Sequence, residues 1–400
     1  MIGKGVKCLL VAAFSLFCLN SFAQEKEVPN THIHNQGELE EKKGETKKFD
    51  ANEVIFGHVL DAHQFHFLSY TGSDGQLHHV GISLPVIVYS PQKGFSVFSS
   101  GKFHHGEEQY NGYQLVTPEY KEKLLVGGYS EEQIKGFRNE SIIAVDEKGR
   151  PLENVKVYDF SLTRNVVQMI ISLALLVWLM LSVAKRYREQ GAGKAPSGIQ
   201  NLMEVLIVFV RDEIVKPNLG HKYNKYMPYM LTVFFFILIN NIVGLIPGTA
   251  NVTGNIAFTA VLGVISFIVI LFSSNKHYWG HIFWPPVPGG VKPVMILVEF
   301  IGIFTKPFAL IIRLFANMIA GHIIIICLIS LIFIFGNLSA GVGWGFSPVS
   351  IAFTVFIYFI EILVAFLQAY IFANLTAVFV GQAFEGGHHD TDHHEDAVIV

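Results

Sequence analysis

Residues 307–335 read PFALIIRLFANMIAGHIIIICLISLIFIF, an apolar run that is long enough to cross a bilayer and contains a single arginine, Arg313. An arginine at the centre of a membrane helix costs about 2.5 to 3.5 kcal/mol even on lenient insertion scales. A chain that keeps such a residue usually has a task for it, and charges at this depth are typical of ion pathways. The run therefore predicts a membrane helix with a role in ion transport.

The neighbours of Arg313 indicate what its face contacts. Helical geometry places Ala309, Ala316 and Ala320 on the same face as the guanidinium. A lone charge among small residues favours close approach by another helix. His322 falls about 180° round the helix from Arg313 and so points elsewhere. We expect this segment to have two polar faces with two different partners.

Composition places the chain among membrane proteins, because 51% of its 400 residues are hydrophobic and several segments can span the hydrocarbon core. Residues 1–23 carry Lys4 and Lys7, an apolar stretch and small residues before Gln24, the layout of a secretory signal peptide. The stretch is short for a membrane anchor, the alternative interpretation. Cys327 is the only cysteine after residue 23, which excludes a disulfide framework.

The chain between the signal peptide and the membrane part has two sections. Residues 24–50 are rich in Glu and Lys without an apolar period, which predicts a disordered linker. Residues 51–159 contain short alternating apolar runs broken by Gly, Pro and Ser, which predict strands. We therefore expect a small β-rich domain, and the signal peptide predicts that it is extracytoplasmic.

Two histidine-rich stretches raise the question of a metal site. His58, Asp61, His63 and His66 lie close together in sequence and include zinc-ligand types. Their spacing matches no strict ligand set, so ordinary surface histidines are the favoured interpretation. Residues 385–400, which are rich in His and Asp, predict a solvated cytoplasmic tail. No metal or cofactor is predicted.

Residues 160–384 are predicted to form the membrane domain. A first span from Leu162 to Ala184 stops at Lys185, Arg186 and Arg188, a basic cluster that marks the cytoplasmic side. A mixed segment with charged residues then predicts an interfacial helix, which is followed by two more spans. These three segments are 199–216, 226–247 and 256–272.

The last two apolar segments are too long to stand upright in a membrane. Residues 294–335 would extend about 63 Å as one helix at 1.5 Å per residue, twice the hydrocarbon thickness. Residues 348–384 are also too long, and an uncharged Gly-rich link, 336–347, separates the two segments. We expect two strongly tilted antiparallel helices that turn near the outer surface.

Polar positions test the register of this hairpin. The residue numbers of Arg313 with Gln368, and of His322 with Glu361, add to nearly the same value, as antiparallel neighbours require. The predicted fold is therefore an all-α polytopic membrane protein with about five membrane helices and an interfacial helix. A small β-rich extracytoplasmic N-terminal domain precedes them.

Several motifs resemble the a subunit of rotary, F-type ATP synthases, the stator channel protein beside the ring of c subunits. They are RLFANMIAGH at 313–322, KPFALIIR at 306–313 and FLQAYIF at 366–372, and the resemblance covers most of 226–384. It implies an ion-translocating subunit of the bacterial inner membrane, with a cytoplasmic C-terminus and no ATP chemistry of its own. The implied partners are the c ring, b-type peripheral stalk subunits, the other synthase subunits and the bilayer, without nucleic acid.

The resemblance also implies roles for single residues. Arg313 resembles the essential arginine that faces the ring carboxylate, and Gln368 resembles its neighbour on the following helix. The other matched positions are Asn317, His322 and Glu361 of the outer half-channel and Glu299 near the inner half-channel. Many bacterial members carry the histidine and the glutamate of His322 and Glu361 in exchanged positions, so the pair's chemistry is retained here.

The residues themselves support these roles, with an alternative beside each. The permanent charge of Arg313 repels a migrating proton and attracts an ionised carboxylate, unless it pairs with a carboxylate of its own chain. His322 and Glu361 suit proton transfer, or else an interhelical hydrogen bond without transport. Asn240 and Asn241 either line the outer channel or bridge helices.

Two other function classes were weighed. In a secondary proton-coupled transporter Arg313 would bind an anionic substrate, but such proteins tend to contain internal repeats, and no second copy of the arginine segment is present. A structural assembly factor would leave Arg313, His322 and Glu361 without a task. Lys306 is predicted to reach the inner headgroups.

Overall fold

The computed structural model describes residues 61–71, 77–152, 155–190, 195–246, 248–285 and 290–385. The predicted signal peptide and linker, His58 and the tail beyond Glu385 lie outside these ranges.

The N-terminal part consists of three small antiparallel sheets with two short helices. β1 pairs with β2, β3 lies between β4 and β7, and β5 pairs with β6. A buried cluster that includes Val86, Phe103 and Tyr113 forms its core. The strands are β1 Gln64–Thr71, β2 Leu77–Ser83, β3 Pro85–Ser90, β4 Gly94–Ser99, β5 Tyr113–Leu115, β6 Ile142–Ala144 and β7 Tyr158–Asp159, and the helices are α1 Pro118–Val126 and α2 Glu131–Lys135. The expected β-containing domain is confirmed.

Helices α1 and α2 were not predicted, although the sequence contains their start signals. The Thr117 side chain accepts a hydrogen bond from the Tyr120 amide, and Pro118 occupies the first turn of α1. Ser130 and Gln133 form a reciprocal capping box at the start of α2. Both helices are shorter than three turns, so their apolar period is too brief to stand out.

The membrane part contains five helical segments that are long and apolar enough to cross a bilayer, as expected. The segment 199–244 begins with the predicted interfacial region and contains a π-helical stretch, Val210–Val215. Its second half is a central helix that packs against three others. The helices are α3 Arg164–Gln190, α4 Ile199–Phe209, α5 Lys216–Leu219, α6 Tyr223–Gly244, α7 Ile256–Ser273, α8 Lys276–Phe283, α9 Lys292–Leu338 and α10 Ala340–Glu385.

The link between the two long helices differs from the prediction. Residues 336–347 were expected to be a Gly-rich link outside the two long helices, but they are helical except at Ser339, which has extended backbone angles. In a bilayer the backbone must satisfy its hydrogen bonds within the helix, which favours helix even at glycine. Gly336 and Gly343 instead allow the helices to touch, because a Cβ added to Gly343 would lie 2.8 Å from the Gly336 Cα.

The N-terminal domain rests on the membrane part at one defined junction. The Phe160 amide donates to the Ile87 carbonyl at 2.8 Å, so the chain continues from β7 alongside β3 and enters α3 four residues later. Phe65 and Leu84 of the domain cluster with Val167 of α3 and with Ala250, which lies in the connection between α6 and α7. The domain therefore covers the end of the bundle at which α3 begins and α6 ends.

Candidate functional site

Arg313 lies on a face of α9 that its own chain leaves uncovered. Ala309, Asn317 and Ala320 are exposed beside it, and Ala316 is half-buried. Among the described residues Arg313 makes no ion pair, so the alternative of a carboxylate partner within the described chain has no support. The buried face of α9 packs into the bundle core through Leu310, Leu314 and Met318.

Glu361 lies against Gly321 in the hairpin. A Cβ added to Gly321 would collide with both carboxylate oxygens of Glu361, so the glycine makes the space that this side chain occupies. Glu361 is only 6% exposed, and its Oε2 has no hydrogen-bond partner among the described residues. His322 follows Gly321 and is half-buried. The structure thus brings Glu361 to the level of His322, as the hairpin register predicts.

The same register extends along the whole hairpin. Ser350 donates through its hydroxyl to the Leu328 carbonyl, and the Phe335 and Phe346 rings meet at 4.7 Å. With Glu361 opposite Gly321, Gln368 lies two turns further along α10, level with the residue that follows Arg313. Gln368 is buried, with 4% of its surface exposed. Gln368 and Arg313 therefore share a depth.

Asn240 and Asn241 are fully buried in α6. Asn241 Nδ2 donates to the Ala365 carbonyl at 3.1 Å, which joins α6 to α10 one turn from Glu361. Asn240 Nδ2 donates within its own helix, to the Phe236 carbonyl at 2.8 Å. Asn240 and Asn241 were predicted either to line the outer channel or to bridge helices, and Asn241 bridges α6 and α10. The Oδ1 atom of each asparagine has no hydrogen-bond partner among the described residues.

Asn251 is a residue of this region that sequence reasoning missed. Its Nδ2 donates to the Met318 carbonyl of α9 at 3.0 Å, and its Oδ1 accepts from the Gly254 amide at 3.0 Å. The connection between α6 and α7 is thereby tied to the helix that carries Arg313 and His322. The available signal was an asparagine in an uncharged link between two spans.

Glu299 occupies the other end of α9, about 21 Å from Arg313 along the helix at 1.5 Å per residue. Glu299 is half-buried. Its charge acts on Tyr278 of α8, whose pKa is raised first by burial and then by Glu299. Lys306, which is predicted to reach the inner headgroups, also donates through Nζ to Gln382 Oε1 at 3.1 Å. A neighbouring amide on α10 supplies a partner that the sequence pattern does not reveal.

The prediction of ordinary surface histidines is wrong for His63. It is 4% exposed, and its Nε2 lies 2.9 Å from Asp159 Oδ2. Burial opposes ionisation of Asp159, but hydrogen bonds from His63 and Ser161 hold the pKa of Asp159 below its usual range. Asp61 Oδ1 accepts the Asn165 amide at 3.2 Å and so caps α3. Within the described ranges no group of three or more His, Cys, Asp or Glu side chains is arranged to hold a metal.

Comparison with known proteins identifies the membrane part. A family model described as ATP synthase A chain matches residues 166–381, which include Arg313, His322, Glu361 and Gln368. A second model, described as Domain of unknown function (DUF8433), matches residues 54–160.

Several curated relatives are called ATP synthase subunit a. The one from Chloroherpeton thalassium is 47% identical over 251 residues, 62% of this chain and 74% of the relative. The relative from Chlorobaculum tepidum is 43% identical, over 58% of this chain and 66% of its own length, and the one from Myxococcus xanthus is 38% identical, over 60% and 78%. The chain therefore belongs to the ATP synthase A chain family, the proton-channel subunits of the membrane sector of F-type ATP synthases.

Proposed function

We propose that the chain carries protons through two half-channels that end on opposite sides of Arg313 and connect only through the c ring. As a member of its family it is a multi-pass membrane protein that works with the c ring, the b subunits and the rest of the synthase. An outer half-channel containing Asn317, His322 and Glu361 would deliver protons to a ring carboxylate. Glu299 would lie near the inner half-channel that releases them.

The uncovered face of Arg313 is the observation that carries this proposal. The guanidinium makes no ion pair among the described residues and is flanked by exposed alanines, whereas Glu361, Gln368 and Asn241 are buried by this chain. A ring helix that packs on the alanines would bring its carboxylate close to Arg313. The positive charge lowers the pKa of an approaching carboxyl group, which then releases its proton, and it repels protons that would leak past.

Spacing along α9 separates the two half-channels. Arg313 and His322 are about 13.5 Å apart along the helix axis, and Glu299 lies about 21 Å away on the other side of Arg313. A proton cannot hop directly between groups at these distances. It therefore has to ride on the ring carboxylate as the ring turns, which couples proton flow to rotation.

The side of the membrane follows from charge. Lys185, Arg186 and Arg188 at the end of α3 mark the cytoplasmic side, so the N-terminal domain at the other end of α3 is extracytoplasmic. An odd number of spans then leaves the C-terminus in the cytoplasm. The sequence contains no Gly-rich phosphate loop, which supports a subunit that does not itself catalyse ATP chemistry. The secondary transporter has no support from the family.

Replacing Arg313 by Ala tests the proposal. ATP-driven proton pumping by assembled complexes in membrane vesicles should be lost, because the ring carboxylate then keeps its proton. Lys should restore little of the pumping, since its ammonium loses its proton when desolvated.

Arg186→Ala is the matched control, because it removes an exposed arginine outside the proposed path and should leave pumping unchanged. Near-normal pumping by assembled Arg313→Ala complexes would contradict the proposal.

A further inference from the structure

The sheet of β4, β3 and β7 in the N-terminal domain has one apolar face that the described residues leave largely uncovered. Side chains alternate along β3, so Val86 and Val88 enter the domain core while Ile87 and Tyr89 point away from it. A large exposed apolar patch marks a contact with a membrane or another molecule, whereas single exposed apolar residues are ordinary. The two neighbouring strands show which case applies here.

The neighbouring strands extend the apolar face across the whole sheet. Phe95 of β4 and Tyr158 of β7 both pair with Tyr89, and Val97 pairs with Ile87. Phe95 and Val97 are 73% and 68% exposed. The Tyr89 ring centre lies 4.8 Å from that of Phe95 and 6.3 Å from that of Tyr158. Three aromatic rings thus form one row across the sheet, and the patch is continuous.

The same face continues towards α3. The Phe160 and Leu162 amides donate to the Ile87 and Pro85 carbonyls, which carries the pairing with β3 past the end of β7. Alternate side chains of an extended chain share one side, so Phe160 and Leu162 stand on the same face as Tyr158. Phe160 is 62% exposed. The apolar face therefore reaches to within two residues of the first turn of α3.

Its nearest row lies at the membrane surface. α3 is a membrane-spanning helix that begins at Arg164. Leu162 is two residues away, at most about 7 Å along an extended chain. The headgroup layer on each side of the hydrocarbon core is about 5 to 8 Å thick, so Leu162 lies at headgroup depth. Phe160 follows at the upper limit of this layer, or within it if the sheet leans over.

The two sides of α3 show where lipid lies. Arg164, Gln168 and Ser172 share one side of the helix and are buried, so this side faces the bundle. Ile170 and Ile171 are 50% and 53% exposed. Apolar side chains that a membrane helix leaves exposed face the hydrocarbon.

The chain between β7 and α3 keeps the same division. Asp159, the neighbour of Phe160 in sequence, pairs with the buried His63, and the Thr163 hydroxyl is also buried. One side of this connection therefore faces the protein, and Phe160 points to the other. The apolar face of the sheet is thus continuous with the lipid-facing side of the molecule.

The chemistry of the face fits a phospholipid surface. Tyr and Phe rings suit the boundary between hydrocarbon and headgroups, where aromatic residues are enriched in membrane proteins. Lys93 and Lys156 lie beyond the Tyr89 row and are exposed, and lysines near a surface of anionic lipids attract it. None of the face positions is Asp or Glu, and these positions are 85, 87, 89, 95, 97, 99, 158, 160 and 162.

We propose that the N-terminal domain leans on the bilayer with this face, so that the rings of Phe95, Tyr158 and Phe160 lie among the headgroups. The ligand is the phospholipid surface beside α3. The contact fixes the domain against the membrane at a second place, in addition to its junction with the bundle. The inference goes beyond the proposed function and does not depend on the proton path.

Spin labels in the assembled complex test the contact. With Cys8, Cys18 and Cys327 changed to Ser, a nitroxide is attached to Phe95→Cys or Phe160→Cys in vesicles of phosphatidylethanolamine and phosphatidylglycerol. Both labels should collide more often with oxygen, which concentrates in lipid, than with a water-soluble nickel complex. Lys148→Cys is the control, because its exposed turn follows β6 on the other side of the domain core. The oxygen-to-nickel ratio should be several-fold lower there.

A charge placed on the face gives a second measurement. Phe95→Glu should release the sheet from the vesicle, because anionic lipids repel the carboxylate, and the oxygen preference of a label at Phe160→Cys should then fall. Lys148→Glu should leave that preference unchanged.

Three results would overturn the inference. Labels that prefer nickel at both face positions would show that the face is in water. Labels at both positions that neither reagent reaches would show that protein covers it. An unchanged oxygen preference in Phe95→Glu would show that the face does not hold the domain on the lipid.

Discussion

The central helix α6 and the hairpin of α9 and α10 both carry polar residues at membrane depth, but the chain covers them differently. Asn240 and Asn241 of α6 are fully buried, whereas Arg313 and Asn317 of α9 are exposed. In α6 the polar groups face neighbouring helices of the same chain. In the hairpin the face of Arg313 is left uncovered by the described residues, which fits the proposed contact with the ring. Under the proposed function, coverage by the chain's own helices separates the residues of an internal path from those that contact the ring.

Glu361 belongs to the hairpin but is buried like the asparagines, as Gln368 also is. We expect His322→Ala and Glu361→Ala each to abolish most proton flux, since each interrupts the route and leaves a polar partner unsatisfied. Flux through assembled complexes is the measurement. The exchange of both identities, His322→Glu with Glu361→His, should recover more flux than either half of the exchange alone.

A double-mutant cycle decides whether the two residues act together. A coupling close to zero, with effects that simply add, would show that the burial of Glu361 has nothing to do with His322.

Gly321 tests the space that buries Glu361. Gly321→Ala places a methyl group where the carboxylate now lies, so the flexible side chain must move while the helices stay packed. Proton flux should fall about tenfold if displacement raises the barrier by about 1.4 kcal/mol, with the complex still assembled. Gly302→Ala on the same helix is the control, because a Cβ there meets no atom within 4 Å. Equal fluxes in the two variants would mean that the position of Glu361 is unimportant.

Replacing Asn241 is expected to have the smallest effect of these changes. It tests the polar residues that the chain's own helices bury. Asn241→Leu removes the hydrogen bond to Ala365, which should cost about 0.6 to 2 kcal/mol of stability, the range for such bonds between membrane helices. Thermal unfolding of the detergent-solubilised complex measures this loss. Thr232→Val is the control, since among the described residues its hydroxyl donates within α6, to the Pro228 carbonyl. A loss no larger than that of the control would show that Asn241 does not hold α6 to α10.

Sequence reasoning succeeded where the signal is local. The spans and the depth of Arg313 follow from apolar length and helical period, which depend on residues a few positions apart. The hairpin register follows from polar positions placed symmetrically about a single turn. It failed at residues 336–347, where the glycines were taken to mark a link outside the helices, although the two helices continue and touch at Gly336 and Gly343. It also failed at His63, whose burial depends on Asp159, far along the chain.

The sequence by itself determined that this is a membrane protein with one central arginine and with a histidine and a glutamate at similar depths in its last two helices, because charge and hydrophobic length are properties of the chain alone. Only the tertiary structure decided which of those polar residues its own chain covers. It also decided that Gln168 and Ser172 are buried and that Gly321 accommodates Glu361. The reason is physical: burial and hydrogen bonding are set by helices that meet in space, and residues distant in sequence supply their surfaces.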